Sequence, residues 1–241
     1  GILDTEGQEI TIDADYSSYE GENASFYQNR FFLQDGSFLK NGQTYRNTAP
    51  SDINIKAIKA DYVLPVSKVF KIEAGFKYAD VESDNNFILE NQVGEGWLND
   101  PKRSNRFKYS EEVGAAYTTL SATFGKYSVQ GGLRAERTHS IGTSVTLDQE
   151  VDRQYTNLFP SVFVSRNFNE DNILNFSYSR KINRPNYQNL NPFIYYLDQY
   201  TYNEGNPHLR PEFATNFEAT YLFKQKYSLA LAYSHTSDVI T

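Results

Sequence analysis

An all-β chain, built as an antiparallel up-and-down meander of about ten strands, is what this sequence predicts. Three observations carry the prediction. There are 19 Tyr and 17 Phe against a single Trp in 241 residues, and aromatic side chains fit a pleated, half-buried surface. Apolar and polar residues alternate with a period of two in segment after segment, as in strands with one buried face. The connections between these segments alternate short and long. That is the habit of a membrane barrel, with tight turns at one rim and long excursions at the other. The meander is therefore expected to form part of a transmembrane β-barrel.

The elements follow in order. Ile10, Ile12, Ala14 and Tyr16 alternate with Thr11, Asp13 and Asp15, and Tyr19-Glu20-Gly21-Glu22 reads as a short turn into a second strand over 22–33. A long polar connection over 34–52 precedes a strand over 53–64, where a phase slip between Ile53/Ile55/Ala57 and Ile58/Ala60 suggests a bulge near Ala57. A turn at Pro65 leads into Phe70, Ile72, Ala74, Phe76 and Tyr78, with Lys71, Glu73, Gly75 and Lys77 between them. A long loop over 85–106 holds Trp97. Strand 107–124 then turns at Gly125-Lys126 into Tyr127, Val129, Gly131, Leu133 and Ala135, opposite Gln130, Gly132, Arg134 and Glu136. Loop 139–153, strand 155–166, turn 167–172 and strand 173–182 come next. The last hairpin joins 213–223 to Tyr227, Leu229, Leu231 and Tyr233 through a turn at Lys224.

All apolar rows are expected on one face, the long loops at one end and the short turns at the other. Each strand offers the roughly 9–11 residues that cross a bilayer at a tilt. Tyr16, Tyr62, Phe70, Phe124, Tyr127, Phe168, Phe223 and Tyr227 fall beside short turns, where a barrel carries an interfacial girdle.

Between the last two hairpins lies a long connection over 183–212, interrupted by Pro185, Pro192, Pro207 and Pro211. Proline supplies no ladder donor, so this segment is a loop. Its density of Tyr and Phe argues for order and for function. The runs Ser-Tyr-Ser-Arg-Lys-Ile-Asn-Arg-Pro (177–185), Leu-Asn-Pro-Phe (190–193) and Gly-Asn-Pro-His-Leu-Arg-Pro-Glu (205–212) resemble the barrel of TonB-dependent outer-membrane receptors, in the version common in Bacteroidetes-type bacteria. Weaker echoes lie at 59–62 and 132–137. The resemblance implies a barrel of about twenty-two strands around an N-terminal plug. It also implies cargo bound from outside and an inner-membrane energy-coupling complex that pulls on the plug. On that expectation residues 1–241 form one partial barrel domain, lacking the plug and the remaining strands. The missing initial Met and the end Asp-Val-Ile-Thr, without a terminal aromatic, point the same way.

Function classes are narrowed by composition. A net charge of −7 leaves no basic stripe for nucleic acid, and the absence of Cys removes disulfides, thiolate metal sites and thiol catalysis. His139, His208 and His235 are scattered, so no catalytic constellation stands out, and no enzyme activity, metal or cofactor is expected. The acidic runs 80–84, 148–152 and 170–172 read as turn formers before they read as calcium ligands, since their spacing matches no defined calcium loop. Lys71, Glu73, Lys77, Arg134, Glu136 and Glu218 lie opposite the apolar rows. They are the candidates for a polar lumen, with cross-strand charge pairing, or else for a solvated sheet face. Tyr187, Phe193, Tyr195, Tyr196, Tyr200 and Tyr202 are the candidates for ligand contact, against the alternative that they pack the loop on itself.

The expected partners are outer-membrane lipid, the plug and coupling complex, and a cargo such as a glycan, peptide or metal chelate. The rival readings are a soluble secreted β-sandwich that binds glycans and a barrel serving surface assembly or adhesion.

Overall fold

The computed structural model describes residues 7–196 and 201–240. Its long strands are β1 (Glu9–Phe32), β2 (Phe38–Pro65), β3 (Phe70–Val93), β5 (Asn105–Phe124), β6 (Tyr127–Ser144), β7 (Gln149–Asn169), β8 (Asn172–Asn183), β11 (Glu212–Phe223) and β12 (Tyr227–Ser237). They pair antiparallel in the order β1-β2-β3-β5-β6-β7-β8-β11-β12, and the short β4 (Gly96–Asn99) joins β3 to complete a 10-stranded sheet. Between β8 and β11 lie a helical turn, α1 (Tyr187–Leu190), and a separate small hairpin of β9 (Ile194–Tyr196) and β10 (Tyr202–Glu204). Among the described residues no second sheet of long strands packs on this meander, which removes the β-sandwich reading.

Register fixes the two faces, because directly opposed residues in an antiparallel ladder point the same way. The partners Phe70, Ala122, Val129, Val164, Phe176, Ala219 and Leu231 make one unbroken apolar row from β3 to β12. A parallel row runs through Ile12, Ala60, Phe76, Ala116, Ala135 and Leu158. On β6 the apolar outer positions span 127–135, about 30 Å of strand and, at a barrel tilt of about 40°, about 23 Å of height. That is a bilayer's hydrocarbon thickness for a barrel, and Leu133, Leu158 and Leu231 in it are 47%, 51% and 68% exposed. No soluble fold leaves such a face uncovered.

Three expectations are corrected. Tyr19–Glu22 is no turn: Glu20 pairs with Asp52, and β1 runs through it as one 24-residue strand against the 28-residue β2. The Glu-Gly-Glu signal is overridden because β2 offers a partner for every residue there. Most of the long loops over 34–52, 85–106 and 139–153 are likewise strand. Only 33–37, 94–95, 100–104 and 145–148 leave the ladder, helped by left-handed Gly36, Gly94 and Asp148. Above the band the inner face buries Tyr45, Leu89 and Phe107 beside polar Asn47, Asn105 and Ser144, so no apolar row marks the strand. Finally, Ala57 is no bulge, since its register is unbroken on both sides. The phase slip records a change of face, with Ile53, Ile55 and Ala57 pointing inward and Ile58 and Ala60 outward. The true register shifts lie at Gln28/Arg30, Phe31/Phe32 and Asn167/Asn169.

The alternation of ends survives these corrections. Turns 66–69, 125–126, 170–171 and 224–226 lie at the lower rim, and the remaining connections, including 184–211, at the upper. Tyr16, opposite Lys56, moves from the lower girdle to the upper edge of the band, close to Tyr78, which stands opposite Ile58.

Candidate functional site

The upper part of the inner face carries the candidate site, because the 184–211 loop folds down onto it. Pro185 ends β8 and cannot extend the ladder. Asn186 then caps α1, its side-chain oxygen accepting from the Asn189 amide at 2.9 Å. The loop closes on itself when the Gly205 amide donates to the Asn191 carbonyl (2.9 Å) and the Asn206 amide to the Asn189 carbonyl (2.7 Å). Asn206 also accepts from the His208 amide at 2.8 Å. The Asn-Pro-His-Leu-Arg-Pro-Glu run thus opens on a turn in which Asn206 accepts through both its side chain and its carbonyl, the latter from the Leu209 amide at 3.2 Å. At its end Glu212 ties two strand tops together, accepting from Asn183 Nδ2 at 3.0 Å and from the Ile240 amide at 2.5 Å.

Four contacts hold this folded loop to the wall. The Arg153 guanidinium donates to the carbonyls of Pro207 and Leu209. Asn191 Oδ1 accepts from Asn105 Nδ2 (3.2 Å), and Asn105 in turn accepts from Ser144 Oγ (3.1 Å). Arg184 Nη2 donates to Glu136 Oε2 (2.6 Å) and Thr138 Oγ1 (3.1 Å), while Arg134 Nε reaches the other Glu136 oxygen at 2.5 Å. Phe193 and Leu190 are buried, and Phe193 lies 6.3 Å from Phe87, centroid to centroid. A cavity of about 20 Å³ lies between loop and wall, lined by Phe107, Tyr109, Leu190, Pro192 and Pro207 among others. Burial there pushes the Tyr109 phenol above its ordinary range.

The Glu136 bridge is the most consequential of these. With Glu136 removed, Arg184 keeps only Thr138 while its Nε has no partner as it stands. Glu136→Ala is expected to cost about 2–3 kcal/mol, since a mostly buried cation loses its counter-charge. Hydrogen exchange across 184–193 should accelerate with it. Arg184→Ala in the same chain should recover part of the loss, and a double variant no better than the single would refute this account.

The six lumen candidates all lie on the face opposite the apolar rows. Their charges do not pair across strands as expected. Lys71 meets Glu73 and Arg134 meets Glu136, both at 2.5 Å and along one strand. Residues two apart share a face, and a long side chain spans the gap. Lys77 is exposed and stands opposite Lys59 and Ala115. Glu218 accepts from Thr220 Oγ1 at 2.9 Å.

Of the ligand-contact candidates, Phe193 is withdrawn, because it is buried against the wall. Tyr202 is 55% exposed on β10. Tyr187 belongs to α1 and Tyr195 and Tyr196 to β9, but their side chains, like Tyr200 altogether, lie outside the described residues. Arg153, Asn105 and Ser144 were not legible in the sequence, because each meets its partner only across strands. Gly205 and Asn191 sat inside the recognised motif.

The outer face above the band is ion-paired and carries a pH dependence. Arg106 donates to both Asp84 oxygens (2.9 and 2.7 Å) and holds that carboxyl below the usual carboxylate range. A depressed folded-state pKa gives stability that is present above the ordinary Asp value and lost as pH falls through the folded one. Asp84→Asn is expected to flatten this acid limb by less than about 1 kcal/mol, the pair being largely solvated. Thermal unfolding followed below the ordinary Asp pKa measures it. Asp80, in the same acidic run, is engaged by Lys56 at 3.5 Å.

A family model described as outer membrane protein beta-barrel family matches residues 2–241. The chain belongs to that family. Its place is the outer membrane of a Gram-negative bacterium, and its exposed apolar face is the surface that meets lipid. Among solved structures, this barrel chain is similar to the ferric citrate transporter FecA in its unliganded form, with 11% identity, a TM-score of 0.54, and 93% of this chain and 34% of that one covered. It is also similar to the ferric yersiniabactin uptake receptor FyuA from Yersinia pestis, with 12% identity, a TM-score of 0.52, and 94% and 34% covered. At such identity the likeness is one of fold. The chain spans about a third of the length of each (34%). No curated protein sequence matches it.

Proposed function

We propose that this chain is a wall section of a TonB-dependent receptor that takes up a nutrient across the outer membrane. The observation that carries the reading is the Arg-Pro…Asn-Pro-x-Leu-x-Pro-Glu loop, folded inward and fastened over a polar inner face. A loop held there narrows the path through a barrel and presents the β9–β10 hairpin to whatever enters. Lys71, Glu73, Lys77, Arg134, Glu136 and Glu218 line the lumen and face a plug domain. Tyr202, with Tyr187, Tyr195, Tyr196 and Tyr200, contacts the cargo, a glycan, peptide or metal chelate. The fold of FecA and FyuA, a transporter and an uptake receptor, supports the reading without fixing the cargo.

The test uses the full-length receptor in its own host. Deleting its gene should abolish growth on one class of limiting nutrient, among glycans, peptides and iron chelates. Restoring it with residues 194–204 replaced by a Gly-Ser linker should restore insertion but not growth. Uptake should stop when a protonophore collapses the inner-membrane gradient. No growth defect on any nutrient class, or uptake indifferent to the protonophore, would refute the proposal.

A further inference from the structure

High on the outer face, well above the lipid-facing band, stands an aromatic platform that the uptake reading does not use. Phe26 on β1 is opposite Arg46 on β2, and Arg46 is opposite Glu90 on β3. β4 brings Trp97, the sole tryptophan of the chain, to the same face beside Gln92. The Phe26 and Trp97 rings meet edge to face at 6.1 Å. The Arg46 guanidinium lies 4.5 Å from the Trp97 ring centre, and its Nε is fixed by Glu90 Oε2 at 2.6 Å. Phe26 is 62% exposed. The result is an exposed Phe26 ring beside a half-exposed Trp97 ring that the guanidinium caps on one face, flanked by a fixed donor and a fixed acceptor.

Height decides what it can meet. Arg46 lies ten residues farther up β2 than Lys56, which borders the top of the apolar band. That is about 33 Å of strand and, at a tilt of about 40°, about 25 Å above the hydrocarbon. A phospholipid head-group layer adds only about 5–8 Å on each side of a bilayer, so neither acyl chains nor phospholipid heads reach the platform. Because the face points away from the lumen, transported cargo does not pass it. The same outer surface is continuous with the lipid contact below. In a Gram-negative outer membrane that surface is surrounded by glycolipid whose head group is an oligosaccharide chain.

We propose that Phe26, Trp97, Arg46 and Glu90 form a contact site for the saccharide chains of the outer-leaflet glycolipid. The C–H face of a sugar ring stacks on the aromatic surface, and its hydroxyls bond to the guanidinium and the carboxylate. The site rests on the outer-membrane assignment and not on the uptake reading.

The experiment titrates the full-length receptor, purified in detergent, with core oligosaccharide freed from lipopolysaccharide by mild acid. Glycerophosphocholine serves as the phospholipid-head probe, and saturation-transfer NMR is the readout. The oligosaccharide should bind and glycerophosphocholine should not. Phe26→Ser and Trp97→Ala should each weaken binding about tenfold, the loss of one stacked aromatic contact. Phe26 is mostly solvent-exposed, so its replacement leaves the sheet folded even if Trp97→Ala unseats β4. Growth on the cargo should be unchanged in Phe26→Ser. Absent oligosaccharide binding, equal affinity in Phe26→Ser, or preference for glycerophosphocholine would overturn the proposal. So would a growth defect in Phe26→Ser, which would assign the platform to cargo.

Discussion

Gly205→Val is expected to expel the 184–211 loop from the inner face while leaving the sheet intact. A Cβ at this position would collide with the Asn191 carbonyl oxygen and lie 2.7 Å from that of Asn189 and 2.8 Å from that of Gln188. All three are backbone atoms of the α1 segment, so no side chain can rotate away to make room. The glycine is required for close approach, since its φ is not in the left-handed region. Its amide also supplies the bond to Asn191 that closes the loop. The local cost is about 4 kcal/mol or more, in the range of severe backbone and overpacking lesions. The main sheet shares none of these contacts, so its cooperative unfolding should hardly move. Protease treatment of the full-length protein in vesicles measures the effect: cleavage within 184–211 should rise by orders of magnitude in the variant. A loop that stays protected would mean that Gly205 is not its keystone.

Val162→Arg is expected to block stable insertion, whereas Gln130→Arg should be tolerated. Val162 lies near the middle of the apolar band, opposite Gly131 and Tyr178. Gln130 is only one residue from Gly131 along β6, but on the other face, where it is exposed. An arginine on the lipid face at the bilayer midplane costs about 2–4 kcal/mol, and the same residue in a wet lumen costs about 0.5 kcal/mol or less. Urea-dependent folding of the full-length protein into lipid vesicles compares the two. Equal penalties, or the larger one at Gln130, would reverse the assignment of inside and outside.

The membrane band was legible in the sequence because it obeys one rule across all nine long strands. Phe70 to Phe76, Tyr127 to Ala135 and Tyr227 to Tyr233 each alternate against polar partners, and that pattern survives without knowledge of neighbours. Above the band the rule lapses. Residues 34–52 and 139–153 carry polar side chains on both faces, so a paired strand and a loop look alike until the partner is known. Glu20-Gly21 imitated a turn for the same reason. In the candidate site, Asn191, Gly205 and Glu212 could be found because a recognisable motif contains them. Arg153 could not, since it acts on Pro207 and Leu209 from another strand, and Phe193 looked like a contact residue until its burial was seen. The direction of the charge pairs is likewise hidden in the sequence, because i,i+2 and cross-strand partners are equally near.

The height of the paired strands has a consequence for how anything arrives at the barrel. β2 continues eighteen residues beyond Lys56 to Phe38, about 45 Å above the hydrocarbon at a tilt of about 40°. Along this section of wall the upper rim is therefore a stiff ladder and not a fringe of loose loops. Walls already held by ladder hydrogen bonds lose little conformational entropy when a molecule settles against them. Selection there falls to shape and to the spacing of fixed polar groups.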